Sequence, residues 1–145
     1  MRSILIEKII KKSYYSYHVQ KLFEDDNIKM EVLGDWFVFD VSNNPATWIK
    51  WLNDRDKLAE DTESNATWLE KEWLPDGKCN VTFGSIVDLI QDKAPIYVPD
   101  PARILIMPRE NVIELLKTWK KLLEIRPNQI MITEENGVYK MFEVQ

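Results

Sequence analysis

The residues able to do chemistry in this sequence are few, because the chain contains one histidine and one cysteine. A Ser–His–Asp or Cys–His centre would have to use His18, which lies in the tyrosine-rich segment "SYYSYHV" without a flanking catalytic motif. Cys79 follows a Pro-Asp-Gly-Lys turn sequence, and an isolated cysteine is usually a small buried apolar residue. We therefore interpret His18 as a structural or surface histidine and Cys79 as part of the core.

Metal and nucleotide sites find no support in the sequence either. A zinc site usually takes three or four Cys, His or carboxylate ligands, and this chain cannot supply the usual set. The four glycines form neither GxGxxG nor GxxxxGK[ST]. The sequence thus predicts no catalytic residue, no cofactor and no metal. Two carboxylates across a cleft could still hydrolyse a glycoside, although no spacing selects a pair, so a small carboxylate-dependent hydrolase stays an alternative.

Charge is distributed unevenly along the 145 residues, whose net charge is −5. Residues 1–21 hold five basic residues against one acidic residue, residues 22–76 hold fourteen acidic against five basic, and residues 77–145 hold nine of each. A field of negative sign repels nucleic acid and attracts cationic partners. We therefore expect no direct binding to nucleic acid. The basic N-terminal segment is the part of the chain that could bind phosphate and contradict this expectation.

The acidic segment also contains two tryptophans five residues apart, in "TWLEKEWLPDGKCNVTF". On a helix, Trp68 and Trp73 would point about 140° apart, so they could not share one narrow buried stripe. One of them is then expected at the margin beside Glu70 and Glu72, where an exposed tryptophan rimmed by acids resembles an interface anchor. The predicted partner-binding residues are Glu60, Asp61, Glu63, Trp68, Glu70, Glu72, Trp73 and Asp76.

The elements that would position these residues begin with β-strands. "SILIEKII", Ser3–Ile10, and "SYYSYHV", Ser13–Val19, are rich in β-branched and aromatic residues and predict two strands. Residues 28–41 predict a hairpin, with Gly34 and Asp35 at a type II′ turn.

Helices are predicted in the middle of the chain. Asn44 and Pro45 suit the start of a helix. A short second helix, capped by Ser64 or Asn65, would carry both tryptophans of the acidic segment. A third is predicted over residues 83–92.

The C-terminal third has the clearest pattern. Residues 102–107 predict a strand, and Pro108 opens a helix with one apolar stripe. Residues 129–144 predict a hairpin with Asn136-Gly137 at its turn. Together the elements predict a single α+β domain over residues 1–145, an antiparallel or mixed sheet with α-helices packed on it. No apolar run is long enough for a signal peptide or a membrane span, so we expect a cytoplasmic protein without membrane contact.

The region "ILIMPRENVIELLKTWKKLLEIRPNQIMITEENGVYKMFEV", residues 104–144, resembles the C-terminal half of several bacterial immunity protein families. Those families protect a cell from polymorphic toxins, including the toxins of contact-dependent growth inhibition. The resemblance implies a partner: a cognate toxin domain, basic and nuclease-like, whose active-site cleft an acidic inhibitor would occlude. It covers about a third of the chain, and no site residue is carried over from it. A general protein-binding adaptor is a further alternative.

Overall fold

The structure is a computed structural model that describes residues 1–20, 28–58, 66–85 and 101–145. In these ranges the chain has an α+β fold, as predicted, with two antiparallel sheets and three α-helices. None of the helices in the described ranges combines the length and apolar character that crossing a bilayer requires.

The larger sheet has four strands in the order β2-β1-β6-β7, and it joins the two ends of the chain as expected. Strand β1 spans Arg2–Lys11, β2 spans Tyr14–Val19, β6 spans Gln129–Glu135 and β7 spans Val138–Glu143. Alternate residues of β1, β6 and β7 are buried, so one face of the sheet lies on the core.

The predicted Asn-Gly turn joins β6 to β7. Asn136 and Gly137 have φ values of 54° and 80°, which is the left-handed backbone that a two-residue type I′ turn requires.

The smaller sheet has three strands in the order β3-β4-β5. Strand β3 spans Thr67–Trp73, β4 spans Cys79–Ser85 and β5 spans Leu105–Pro108. The short helix predicted around the two tryptophans is therefore wrong: these residues pair with β4 along their whole length. The predicted helix over residues 83–92 is wrong at its first three residues, which end β4, while residues 86–92 lie outside the described ranges.

The predicted hairpin over residues 28–41 is also wrong. Helix α1 spans Ile28–Asp35, and a π-helix, Trp36–Val41, continues it. Gly34 allows close packing instead of a turn: a Cβ there would lie 3.2 Å from a methyl carbon of Val19 on β2. A continuous apolar run can be buried as a helix or as a central strand, and periodicity does not separate the two.

The remaining helices follow the sequence prediction. Helix α2 spans Pro45–Asn53, with proline at its first position, and α3 spans Arg109–Ile125 directly after Pro108. Arg126 ends α3 in the left-handed conformation, with φ 58°, and its amide donates to the Leu122 carbonyl.

The core lies between the two sheets and the helices, and its centre is aromatic. Trp36 contacts Phe37, Trp48 and Phe83 edge-on, with ring centroids 4.8 to 5.4 Å apart. Trp119 of α3 joins this group through Phe37, at 5.3 Å. Aromatic residues thus hold the π-helix against both α3 and the smaller sheet.

Candidate protein-binding site

Strand β3 places three of the predicted partner-binding residues on one surface. Its burial alternates along the strand, with Leu69 and Lys71 buried and Glu70 and Glu72 exposed. Successive side chains of a strand point to opposite faces, so Trp68 lies on the same outer face as the two glutamates.

The neighbouring strands extend this surface. Thr82 of β4 and Ile106 of β5 lie in the same cross-strand row as Glu70. Ile106 is 58% exposed, although its neighbours in β5 are buried. We call Trp68, Glu70, Glu72, Thr82 and Ile106 the outer face. It combines an aromatic residue, an exposed aliphatic residue and two carboxylates.

Gly84 determines how Trp68 lies on this face. The two residues are cross-strand partners, and a Cβ at position 84 would overlap the indole ring. The indole therefore rests directly on the backbone of β4, which leaves Trp68 only partly exposed. The backbone of Gly84 is not in a left-handed conformation, so its φ angle does not require glycine. Glycine is required because the indole approaches the strand too closely for a Cβ.

Trp73 lies on the opposite side of β3 and has different neighbours. Its ring centroid is 4.4 Å from the guanidinium carbon of Arg55 and 5.3 Å from that of Arg109. Trp73 thus makes cation–π contacts with two arginines and is not surrounded by acidic residues, as the sequence had suggested for one of the tryptophans. The two tryptophans do not form one site.

The other predicted acidic residues are not brought to the outer face by any described contact. Asp76 lies at the exposed turn between β3 and β4, where its carboxylate accepts a hydrogen bond of 3.0 Å from the Lys78 amide. Glu60, Asp61 and Glu63 lie outside the described residues. Of the fourteen acidic residues in the 22–76 segment, six fall outside the described ranges, so much of its charge excess does too.

Lys71 is a buried cation that the sequence did not single out. The residue is 3% exposed, and its ammonium group donates to the carbonyls of Trp51 and Asp54, at the C-terminal end of α2. It also lies 4.4 Å from the Trp51 ring centroid. Burial lowers the pKa of Lys71, and the nearby Asp54 partly offsets this effect. Lys71 therefore joins β3 to the end of α2, where the helix dipole favours a cation.

The residues with reactive side chains lie where the sequence suggested. His18 is exposed, and its Nε2 is 2.8 Å from the Ser16 hydroxyl. Cys79 is buried, and burial raises the pKa of its thiol. Within the described ranges, no three His, Cys, Asp or Glu side chains gather as metal ligands would.

Tyr17 on β2 gives a test of pH dependence. Its hydroxyl donates to the Pro127 carbonyl at 2.8 Å, and burial raises the pKa of Tyr17 to about 12 from 10.0. A raised pKa in the folded state contributes stability below pH 10.0, and that stability is lost as pH rises towards about 12. The stability advantage of wild type over Tyr17→Phe should therefore shrink across this window.

Urea denaturation at several pH values measures this difference. Tyr14→Phe controls for the loss of an exposed tyrosine, since Tyr14 is 61% exposed. Parallel pH courses for wild type and Tyr17→Phe would contradict the prediction.

Comparison with known proteins identifies no similar protein: no family model, no curated protein and no solved structure matches the chain.

Sequence reasoning missed Thr82 and Ile106, because both reach the outer face through strand pairing with distant segments. A local signal did exist for β3: in "TWLEKEW", Trp68, Glu70 and Glu72 alternate with residues of the inner side. This period of two is the strand pattern, and it would have grouped the three residues correctly.

Proposed function

We propose that this protein is a non-enzymatic immunity protein that acts in the cytoplasm by binding and blocking a cognate toxin domain. The outer face carries the proposal, because it presents Trp68 and Ile106 beside Glu70 and Glu72. A partly buried aromatic residue and an exposed aliphatic residue on one face can supply binding energy, while the carboxylates supply attraction and orientation.

The sign of the charge favours a basic partner. No salt bridge among the described residues involves Glu70 or Glu72, and both carboxylates are exposed. Nuclease toxins carry basic clefts that bind phosphate, and an acidic inhibitor complements such a cleft and speeds association. The resemblance of residues 104–144 to immunity protein families supports the same kind of partner.

The test starts from the gene. A reading frame for a secreted toxin should lie immediately upstream, and co-expression of this protein should protect cells from that toxin's C-terminal domain. If no such gene is present, or if the toxin kills cells equally with and without this protein, the immunity function is wrong. Binding without protection would favour an adaptor.

Kinetics with the purified toxin domain then test the outer face. Trp68→Ala should weaken binding by about 2 kcal/mol or more, mainly through faster dissociation. Glu70→Lys with Glu72→Lys should mainly slow association and reduce its dependence on salt. Gly84→Ala should act like Trp68→Ala, since it displaces the indole and retains both carboxylates.

The matched control reverses two exposed glutamates elsewhere, Glu114 on α3 and Glu135 at the end of β6. These changes alter the net charge equally but leave the outer face intact. Equal effects of both double variants would mean that only overall charge matters. Unchanged binding in all outer-face variants would place the interface elsewhere.

A further inference from the structure

A groove runs beside the β2 edge of the larger sheet, on a different part of the molecule from the outer face. One wall consists of four consecutive residues of β2, Tyr15 to His18, and the groove encloses about 430 Å³. The other walls come from the π-helix, the residues after it and α3: Val38, Phe39, Ser42, Asn43, Trp119 and Leu123. We call this the β2 groove.

The groove follows the edge of β2 that faces away from β1. Neighbouring side chains of a strand point to opposite faces, so a cavity touched by four consecutive residues must follow the strand edge. The Gln20 amide donates to the Leu5 carbonyl at 2.8 Å, which makes these two residues a hydrogen-bonded pair. Hydrogen-bonded pairs alternate in an antiparallel ladder, so Tyr15, Tyr17 and Val19 direct their amides and carbonyls away from β1.

No other strand of the described chain pairs with this edge, since β2 is the terminal strand of its sheet. An unpaired edge of this kind is a template for an added strand. Peptides that bind by strand addition gain affinity from main-chain hydrogen bonds and specificity from pockets for alternate side chains.

The wall opposite β2 has two unusual backbone features. The π-helix there closes with a hydrogen bond of 2.8 Å from the Ser42 amide to the Phe37 carbonyl. Ser42 then has φ 45° and ψ −116°, and its carbonyl accepts a 2.7 Å bond from the Trp119 indole. π-helical turns and strained non-glycine residues both concentrate at functional sites.

Apolar and polar side chains both line the groove, and basic residues lie at its end. Phe39 is 53% exposed and Tyr15 is 38% exposed at its rim. A second cavity of about 530 Å³ adjoins it through Asn43 and Leu123, and Lys120 and Arg126 line that cavity with Glu124.

The basic groups at this end outnumber the one acidic residue of the cavity, Glu124. The Arg126 guanidinium carbon lies 5.7 Å from the Tyr15 ring centroid, and the Lys8 ammonium lies 5.6 Å from it. Lys8 donates to the Arg126 carbonyl, and none of Lys8, Lys120 and Arg126 forms a salt bridge among the described residues. The charge therefore complements an acidic ligand.

We propose that the β2 groove binds an extended, acidic segment of a partner polypeptide as an additional antiparallel or parallel strand beside β2. An apolar side chain of the segment packs on Tyr15, Phe39 and Leu123, and its carboxylates approach Lys120 and Arg126. This site does not depend on the proposed immunity function, because it uses different residues and attracts the opposite charge.

Titration of a synthetic peptide of seven residues, with alternating valine and glutamate and a central phenylalanine, tests the proposal. Binding should protect the amides of Tyr15, Tyr17 and Val19 from hydrogen exchange. Methylation of alternate peptide nitrogens on the hydrogen-bonding side should weaken binding about tenfold or more, as expected for the loss of two main-chain hydrogen bonds.

Charge reversal separates the basic end from general electrostatics. Lys120→Glu with Arg126→Glu should weaken binding about tenfold, while Lys117→Glu with Lys140→Glu, both at exposed positions outside the groove, should change it little. Equal binding of the methylated peptide, or of a peptide with lysine for glutamate, would overturn the proposal. Tighter binding of single-stranded RNA at these residues would assign the groove to nucleic acid and overturn it too.

Discussion

A Lys71→Glu variant should unfold with a free energy about 3–5 kcal/mol below that of wild type, because it leaves a buried charge without compensation. The wild-type ammonium donates to the carbonyls of Trp51 and Asp54, and the residue is 3% exposed. A carboxylate at this position would face two carbonyl oxygens and could accept no hydrogen bond from them.

Two further variants separate charge from packing. Lys71→Met retains the apolar stem but loses two hydrogen bonds from a charged donor, so we expect it to cost about 2 kcal/mol. Lys78→Glu, at an exposed position between β3 and β4, should have a free energy of unfolding within about 0.5 kcal/mol of that of wild type. Urea denaturation at neutral pH gives all three values. If Lys71→Glu and Lys78→Glu unfold alike, Lys71 does not anchor the end of α2.

Trp119→Ala should lower the free energy of unfolding by about 3–5 kcal/mol, the usual cost of deleting a buried indole. Trp119 is 1% exposed, contacts Phe37 of the π-helix and Tyr17 of β2, and donates to the Ser42 carbonyl. Its loss removes packing from two sides of the core and leaves that carbonyl without its indole donor.

Trp119→Phe distinguishes these two contributions. The phenyl ring fills most of the space, so the remaining cost should be about 1–3 kcal/mol for the unsatisfied carbonyl and the smaller volume. Equal losses in the alanine and phenylalanine variants would mean that the indole hydrogen bond, not packing, dominates. A loss below about 1 kcal/mol in Trp119→Ala would contradict its place in the core.

Local signals in the sequence predicted the elements that they control. The Asn136-Gly137 turn, Pro45 at the start of α2 and Pro108 before α3 all have conformational requirements that few other residues meet. The β-branched residues of β1 likewise indicated a strand, and pairing of the two chain ends in one sheet agreed with expectation.

Two of the wrong elements have a common cause. Residues 28–41 and 67–73 contain both strand and helix formers, and their final structure depends on distant partners. Gly34 suggested a turn, although its role is to let α1 approach β2. Thr67 to Trp73 suggested a helix, although pairing with β4 makes the segment a strand. Propensity is a weak prior where tertiary contacts decide.

The candidate site was predictable only in part for the same reason. Trp68, Glu70 and Glu72 share a surface, as a reading of their two-residue period would show. Ile106 reaches them through β4, and the β2 groove depends on packing of the π-helix against a strand edge. No local sequence pattern encodes these neighbours.

The order of strands in the larger sheet separates pairings that can form locally from pairings that need distant segments. Strand β1 pairs along one side with β6, so that Arg2 is registered with Glu134. The β1–β2 hairpin can close early, because its partners are adjacent in the chain. Ile4 and Ile6 nevertheless stay without their partners in β6, Ile132 and Ile130, until that distant segment joins the sheet. Completion of the sheet thus requires contacts between residues far apart in the chain, and such contacts make folding slow.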